Sequence, residues 1–230
     1  MSITIIVLIM TPVLVKSQPE VRIAGQLHNI MANGDLRSTI TLDNLKNYQH
    51  LYALGAIEGL AGEIIVLDGK IYNSRVKDKK LIIDDHNSKA ALLVYTDNQH
   101  WLPIEIKILI NGTRELEKII SDNANKYYPG SDKPIPFMIK GNIPSLKWHV
   151  INAPESYEKS HQGFMQSGLQ GELKNQNSVL LGFYSKKHQG VFTHQSSEVH
   201  IHFITKDGKI SGHVDDLILD EHSVLYIPEK

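Results

Sequence analysis

The segment Glu198-Val199-His200-Ile201-His202-Phe203-Ile204-Thr205 constrains this chain most, because it alternates polar with apolar and runs into a turn. Period-two geometry puts Glu198, His200 and His202 on one face of a strand and Val199, Ile201 and Phe203 on the other. Lys206-Asp207-Gly208-Lys209 follows, and Asp-Gly is the strongest short hairpin signal. With Asp207 and Gly208 as a two-residue loop, Lys206 pairs with Lys209, His202 lies opposite His213, and His200 lies opposite Asp215. Directly opposed Cβ atoms are about 4.5–5.5 Å apart and diagonal ones about 7–8 Å. Three imidazoles then leave one patch, near enough to share an ion through bonds of about 2.0–2.1 Å.

Two alternating histidines alone describe a half-exposed polar strand face equally well. The third, in register on the returning strand, singles out metal binding. Cysteine is absent, which removes thiolate ligands, disulfides and cysteine nucleophiles and leaves His, Asp and Glu as donors. Three nitrogen donors suit zinc, and also iron, nickel or copper. They leave coordination positions open for water or substrate, the arrangement of a catalytic site. Glu198 and Asp215 are candidates for a fourth ligand or for acceptors from imidazole N–H groups. His188 and His194 are read as surface residues of the preceding loop.

The remainder reads as an α+β chain rich in strands, in mixed or antiparallel sheets with a few helices. Strands are expected at Val21–Gln26, Gly62–Leu67 with its return Lys70–Ser74 across Asp68-Gly69, and Ala90–Thr96. Later strands are expected at Phe137–Lys140, Leu146–Ile151, Val179–Tyr184, Glu198–Thr205, Ile210–Leu219 and Val224–Ile227. A helix start is expected at Thr41–Leu45, and Leu116, Ile119 and Ile120 predict a helix over Thr113–Tyr127 capped by Thr113. Residues 18–230 are taken as one domain, with a soft boundary near the proline-containing stretch 129–136.

Ile3 to Val15 is nearly all apolar, too short for a stable membrane span and suited to the core of a secretory signal. Residues 1–17 are therefore read as a signal peptide and the protein as exported; if the run is instead a buried strand, the protein is cytoplasmic. The formal net charge of −1 gives no reason to expect nucleic acid. No phosphate-binding glycine loop or serine nucleophile elbow occurs, and Trp101 and Trp148 are read as core or rim residues.

His200-Ile201-His202-Phe203-Ile204, with Gly212-His213-Val214 beyond it, resembles the metal motif of the α-acetolactate decarboxylases. Leu180-Leu181-Gly182-Phe183 resembles that family's Gly-Phe strand, and Leu54 to Glu63 followed by Val66 to Tyr72 resembles its other hallmark. The resemblance implies decarboxylation of 2-acetolactate to acetoin and CO2, with a small-molecule substrate, and is compatible with a homodimer. It implies zinc held by His200, His202 and His213 and an active-site role for Glu63. Ala56 stands where the family has threonine, and His149 where it has an active-site arginine, with Lys147 the nearest cation. His149 or Lys147 is thus expected to contact the substrate carboxylate. The family pattern also includes a further glutamate in a tail beyond the hairpin, a role not assigned to Glu229. The alternative expectation is an exported metal- or ligand-binding homologue that has lost the reaction.

Overall fold

The computed structural model describes residues 18–153 and 168–229, so the apolar run read as a signal lies outside the described residues. The first half of the chain builds one antiparallel sheet from β1 (Val21–Ala24), β2 (Ile40–Thr41), β3 (Leu51–Ile57), β4 (Glu63–Leu67), β5 (Lys70–Lys77), β6 (Lys80–Asp84) and β7 (Lys89–Asp97). Its order is β1-β7-β3-β4-β5-β6, with β2 also on β7. Between β1 and β2 lies helix α1 (Leu27–Asn33), which the sequence reading did not assign. Asp68 and Gly69 make the tight turn between β4 and β5, both at positive φ, as a two-residue hairpin with Leu67 opposite Lys70 requires.

The second sheet comprises β8 (Trp101–Glu105), β9 (Ile110–Asn111), β10 (Ile135–Val150), β11 (Leu169–Tyr184), β12 (Val199–Thr205), β13 (Ser211–Leu219) and β14 (Ser223–Pro228), with helix α2 (Thr113–Tyr127) packed on it. Gly112, not Thr113, is the residue that caps α2; Thr113 is already helical. The two strands expected at Phe137–Lys140 and Leu146–Ile151 are one strand. Pairing with β11 keeps one register from Gly141 opposite Ser178, past Pro144, to Ser145 opposite Lys174. On the other edge β10 changes partner, from β14 at Met138–Gly141 to β13 at Ser145–His149. Because β10 pairs with both β11 and β13, and β12 joins those two, the four strands close into a ring.

Alternation in the strands sorts the core into layers. Val199, Ile201, Phe203, Leu180 and Trp148 share one buried cluster with Leu116 and Ile120 of α2. On the opposite face, Leu181, Phe183 and Met138 meet Tyr52, Leu54, Ile65 and Leu92 of the first sheet. Burying each such side chain stabilises the fold by roughly 1.5–3 kcal/mol before entropy is counted. His202 and Glu63 are buried between the sheets, with His200 half-buried beside them.

Candidate metal centre

Val199 to Phe203 alternates as the sequence predicts, with the apolar residues on the α2 side and His200 and His202 toward the first sheet. The turn after it is a four-residue loop, residues 206–209, in place of the expected two-residue one, with the Gly208 N–H donating to the Thr205 carbonyl at 2.8 Å. The register is nevertheless kept, since the Thr205 N–H donates to the Ile210 carbonyl at 2.9 Å and His202 lies opposite His213. Ring centroids are 4.8 Å apart for His200 and His202, 5.0 Å for His200 and His213, and 5.4 Å for His202 and His213. One ring nitrogen from each lies within 4.8 Å of the others.

Burial, reinforced by the neighbouring imidazoles, holds His200 and His213 well below the usual histidine range. Burial likewise lowers His202 to about 3, against the Ile64 carbonyl bond and together with the charge of His149. All three are therefore neutral near pH 7, the form that ligates metals. His202 Nδ1–H donates to the Ile64 carbonyl of β4 at 2.8 Å, which leaves the Nε2 lone pair free. That Nε2 lies 3.0 Å from His200 Nε2, so two ring nitrogens aim at one point. The donor set fits a divalent transition-metal ion.

Glu63 opens β4 and shares its face with Ile65, so it too looks at the second sheet. It is 5% exposed. The Ile151 N–H donates to Oε1 at 3.2 Å, while Oε2 lies 3.6 Å from His202 Nε2. Burial pushes its carboxyl up to about 7, offset in part by His149 and the Ile151 N–H. The structure thus brings Glu63 to the histidines from the other sheet.

Asp215 is not paired opposite His200. The β12–β13 pairing ends at His202 and His213, after which β13 pairs with β10. Lys147 lies opposite Asp216 and Trp148 opposite Val214, so Asp215 is the extra residue of a bulge. The bulge turns its carboxylate to His149, whose Nδ1 lies 2.7 Å from Oδ1. His149 lies opposite His213, with ring centroids 4.7 Å apart. Burial alone would lower its pKa, but the Asp215 bond and the charges of Glu63 and Asp215 outweigh this and raise it.

Two expected residues are not brought into the site. Lys147 is exposed and paired with Asp216 at 3.6 Å. Glu198 precedes the first residue of β12, so strand alternation does not reach it. Its N–H donates to Glu117, and its carboxylate faces the Tyr184 hydroxyl. His194, expected at the surface, is half-buried with its ring centroid 6.2 Å from that of His213. Its loop offers no periodicity from which this could be read. A cavity of about 350 Å³ is lined by His149, His194, His213 and Asp215 and by Thr113 and Arg114 of α2. A smaller pocket of about 70 Å³ joins Glu63 and His200 to Ile30, Met31, Leu60 and Phe192.

Residues 25–227 match the family model for alpha-acetolactate decarboxylase. The alpha-acetolactate decarboxylase of Lactococcus lactis subsp. cremoris is 27% identical over 195 residues, covering 83% of this chain and 77% of that protein. That of Streptococcus thermophilus is 24% identical over 189 residues, covering 79% and 73%. The crystal structure of the Bacillus subtilis strain 168 alpha-acetolactate decarboxylase superimposes with a TM-score of 0.72 at 18% identity, covering 92% of this chain and 86% of that one.

Proposed function

The chain belongs to the α-acetolactate decarboxylase family, and on that premise we propose that it is a zinc-dependent decarboxylase of 2-acetolactate, yielding acetoin and CO2, or of a related hydroxy-keto acid. The observation that carries this reading is the convergence of three neutral imidazoles, His202 buried and His200 and His213 half-buried, with the buried carboxyl of Glu63. His200, His202 and His213 would hold the ion. A divalent ion there supplies positive charge to the ketone and hydroxyl oxygens of the substrate as the electron pair of the departing carboxylate is left behind.

The chain's own groups do the rest. The Ile64 carbonyl keeps His202 in the ligating tautomer. The Ile151 N–H holds Glu63 Oε1 and leaves Oε2 on the histidine side. Glu63, a buried carboxyl whose Oε2 faces the histidines, is placed to deliver a proton to the carbon that has lost CO2. His149, tied to Asp215 through Nδ1, keeps its other nitrogen for a substrate oxygen. Apolar Leu60 and Phe192 line the pocket beside Glu63 and give that proton transfer a low-dielectric wall.

The test is acetoin and CO2 release from racemic acetolactate by the zinc-reconstituted protein. The native chain is expected to turn over, and Glu63→Gln to keep its zinc while losing on the order of 10²–10⁴ in rate. Tight zinc binding by the native chain with no turnover would sink the reaction for this substrate and leave a binding protein on the same scaffold.

A further inference from the structure

The cavity of about 350 Å³ is lined by charged groups that differ in what engages them. His149 and Asp215 compensate each other across 2.7 Å. Glu117 accepts through Oε1 from Ser197 Oγ at 2.6 Å and from the Glu198 N–H at 2.8 Å, and keeps its negative charge. Arg114 remains: it lines the same cavity, its side chain is exposed, and among the described residues no ion pair engages its guanidinium. It is the second residue of α2, at the end where the helix dipole is positive. A cation there sits in an unfavourable field and gains from any anion that enters. The planar guanidinium matches a carboxylate in two-pronged geometry.

Stereoelectronics supplies the anion. For CO2 to leave, the breaking C–C bond must align with the π-system of the neighbouring ketone, perpendicular to the carbonyl plane. A substrate whose ketone and hydroxyl oxygens face the three imidazoles therefore turns its carboxylate out of that plane. The cavity reaching from His213 past Asp215 to Arg114 offers room for it. We infer that Arg114 binds the carboxylate of the substrate, a small 2-hydroxy-3-keto acid, in this cavity. The substrate class rests on the decarboxylase reading above; the carboxylate contact can be measured without turnover.

The experiment titrates the zinc-loaded protein calorimetrically with two probes. One is the alcohol obtained by reducing the ketone of acetolactate, which keeps the carboxylate and cannot decarboxylate; the other is acetoin, which lacks the carboxylate. Arg114→Ala is expected to weaken the first by at least about tenfold and leave acetoin unchanged, with zinc content and circular dichroism as in the native protein. Arg114→Lys should recover part of the loss, since charge returns without the fork. Equal affinity of native and Arg114→Ala proteins for the reduced probe overturns the inference, as does failure of the native protein to bind it. Arg114-dependent binding without turnover upholds it while the decarboxylase reading falls. Turnover with Arg114-independent binding does the reverse.

Discussion

His149 Nδ1 lies 2.7 Å from Asp215 Oδ1 because β13 carries one residue more than the stretch of β10 beside it. Without that extra residue, alternation would put Asp215 on the face of His213 and opposite His200 rather than beside His149. With it, Val214 and Leu217, only three apart, both reach the buried cluster under α2, and Asp215 is left to orient an imidazole next to the histidine trio. The pair holds His149 in one ring orientation and stabilises its protonated form.

Asp215→Asn keeps the size and hydrogen-bonding capacity of the side chain but removes the charge. Zinc content should stay near the native value, since none of the three expected ligands is altered. Turnover of acetolactate should fall by about tenfold, the scale of one charge-assisted hydrogen bond. Native kinetics in the purified variant would show that the pair does not serve the reaction.

Removing one of the three proposed ligands should empty the site. His202→Ala is expected to weaken zinc binding on the order of a hundredfold or more, read by metal analysis after dialysis, with circular dichroism checking the fold. His200→Ala and His213→Ala should behave alike. An unchanged metal content in the folded His202→Ala protein refutes the ligand assignment.

Gly182 lies directly opposite Phe137, and a Cβ built on it would stand 2.1 Å from the Phe137 ring. Both residues lie in the packed middle of the second sheet, so the ring cannot swing aside freely. Gly182→Ala should cost about 1–3 kcal/mol in urea unfolding. Adding Phe137→Leu should return part of that loss in a double-mutant cycle, because the two changes share one contact. Additive costs would mean that the contact is not the cause.

Tyr128 is buried, its hydroxyl donates to the Pro228 carbonyl at 2.5 Å, and burial pushes its pKa up to about 12. The unfolded chain ionises this group near 10, so folding favours the neutral phenol. Its contribution is complete below pH 10 and is lost as pH rises from 10 toward 12, with a limiting slope of about 1.4 kcal/mol per unit. Tyr128→Phe should flatten the alkaline limb of a stability profile and cost about 1 kcal/mol at neutral pH for the lost hydrogen bond. Tyr184, also raised to about 12 by burial, leaves a residual alkaline loss in that variant. An unaltered alkaline limb would assign the loss to other groups.

Local pattern carried the hairpin. Alternation from Val199 to Phe203 and the turn signal at Asp207-Gly208 are properties of neighbouring residues, and they were enough to set His202 against His213, although the loop itself takes the four residues 206–209. The Asp68-Gly69 turn was legible for the same reason, as was the extent of α2. Such features depend on dihedral preference and side-chain period, both written within a few residues.

Other features depended on partners far along the chain. The merger of β10 across Gly141 follows from its single register with β11, and the bulge at Asp215 from the meeting of β13 with β10. Lys147 and His149 are two apart in sequence, yet one pairs with Asp216 at the surface and the other lies beside His213. Glu63 meets His202 from 139 positions away because two sheets stack with their apolar faces together. By itself, then, the sequence determined a metal-suited histidine trio on one hairpin. Tertiary packing decided which acid, cation and cavity surround it, because burial and desolvation arise only when distant strands exclude water between them.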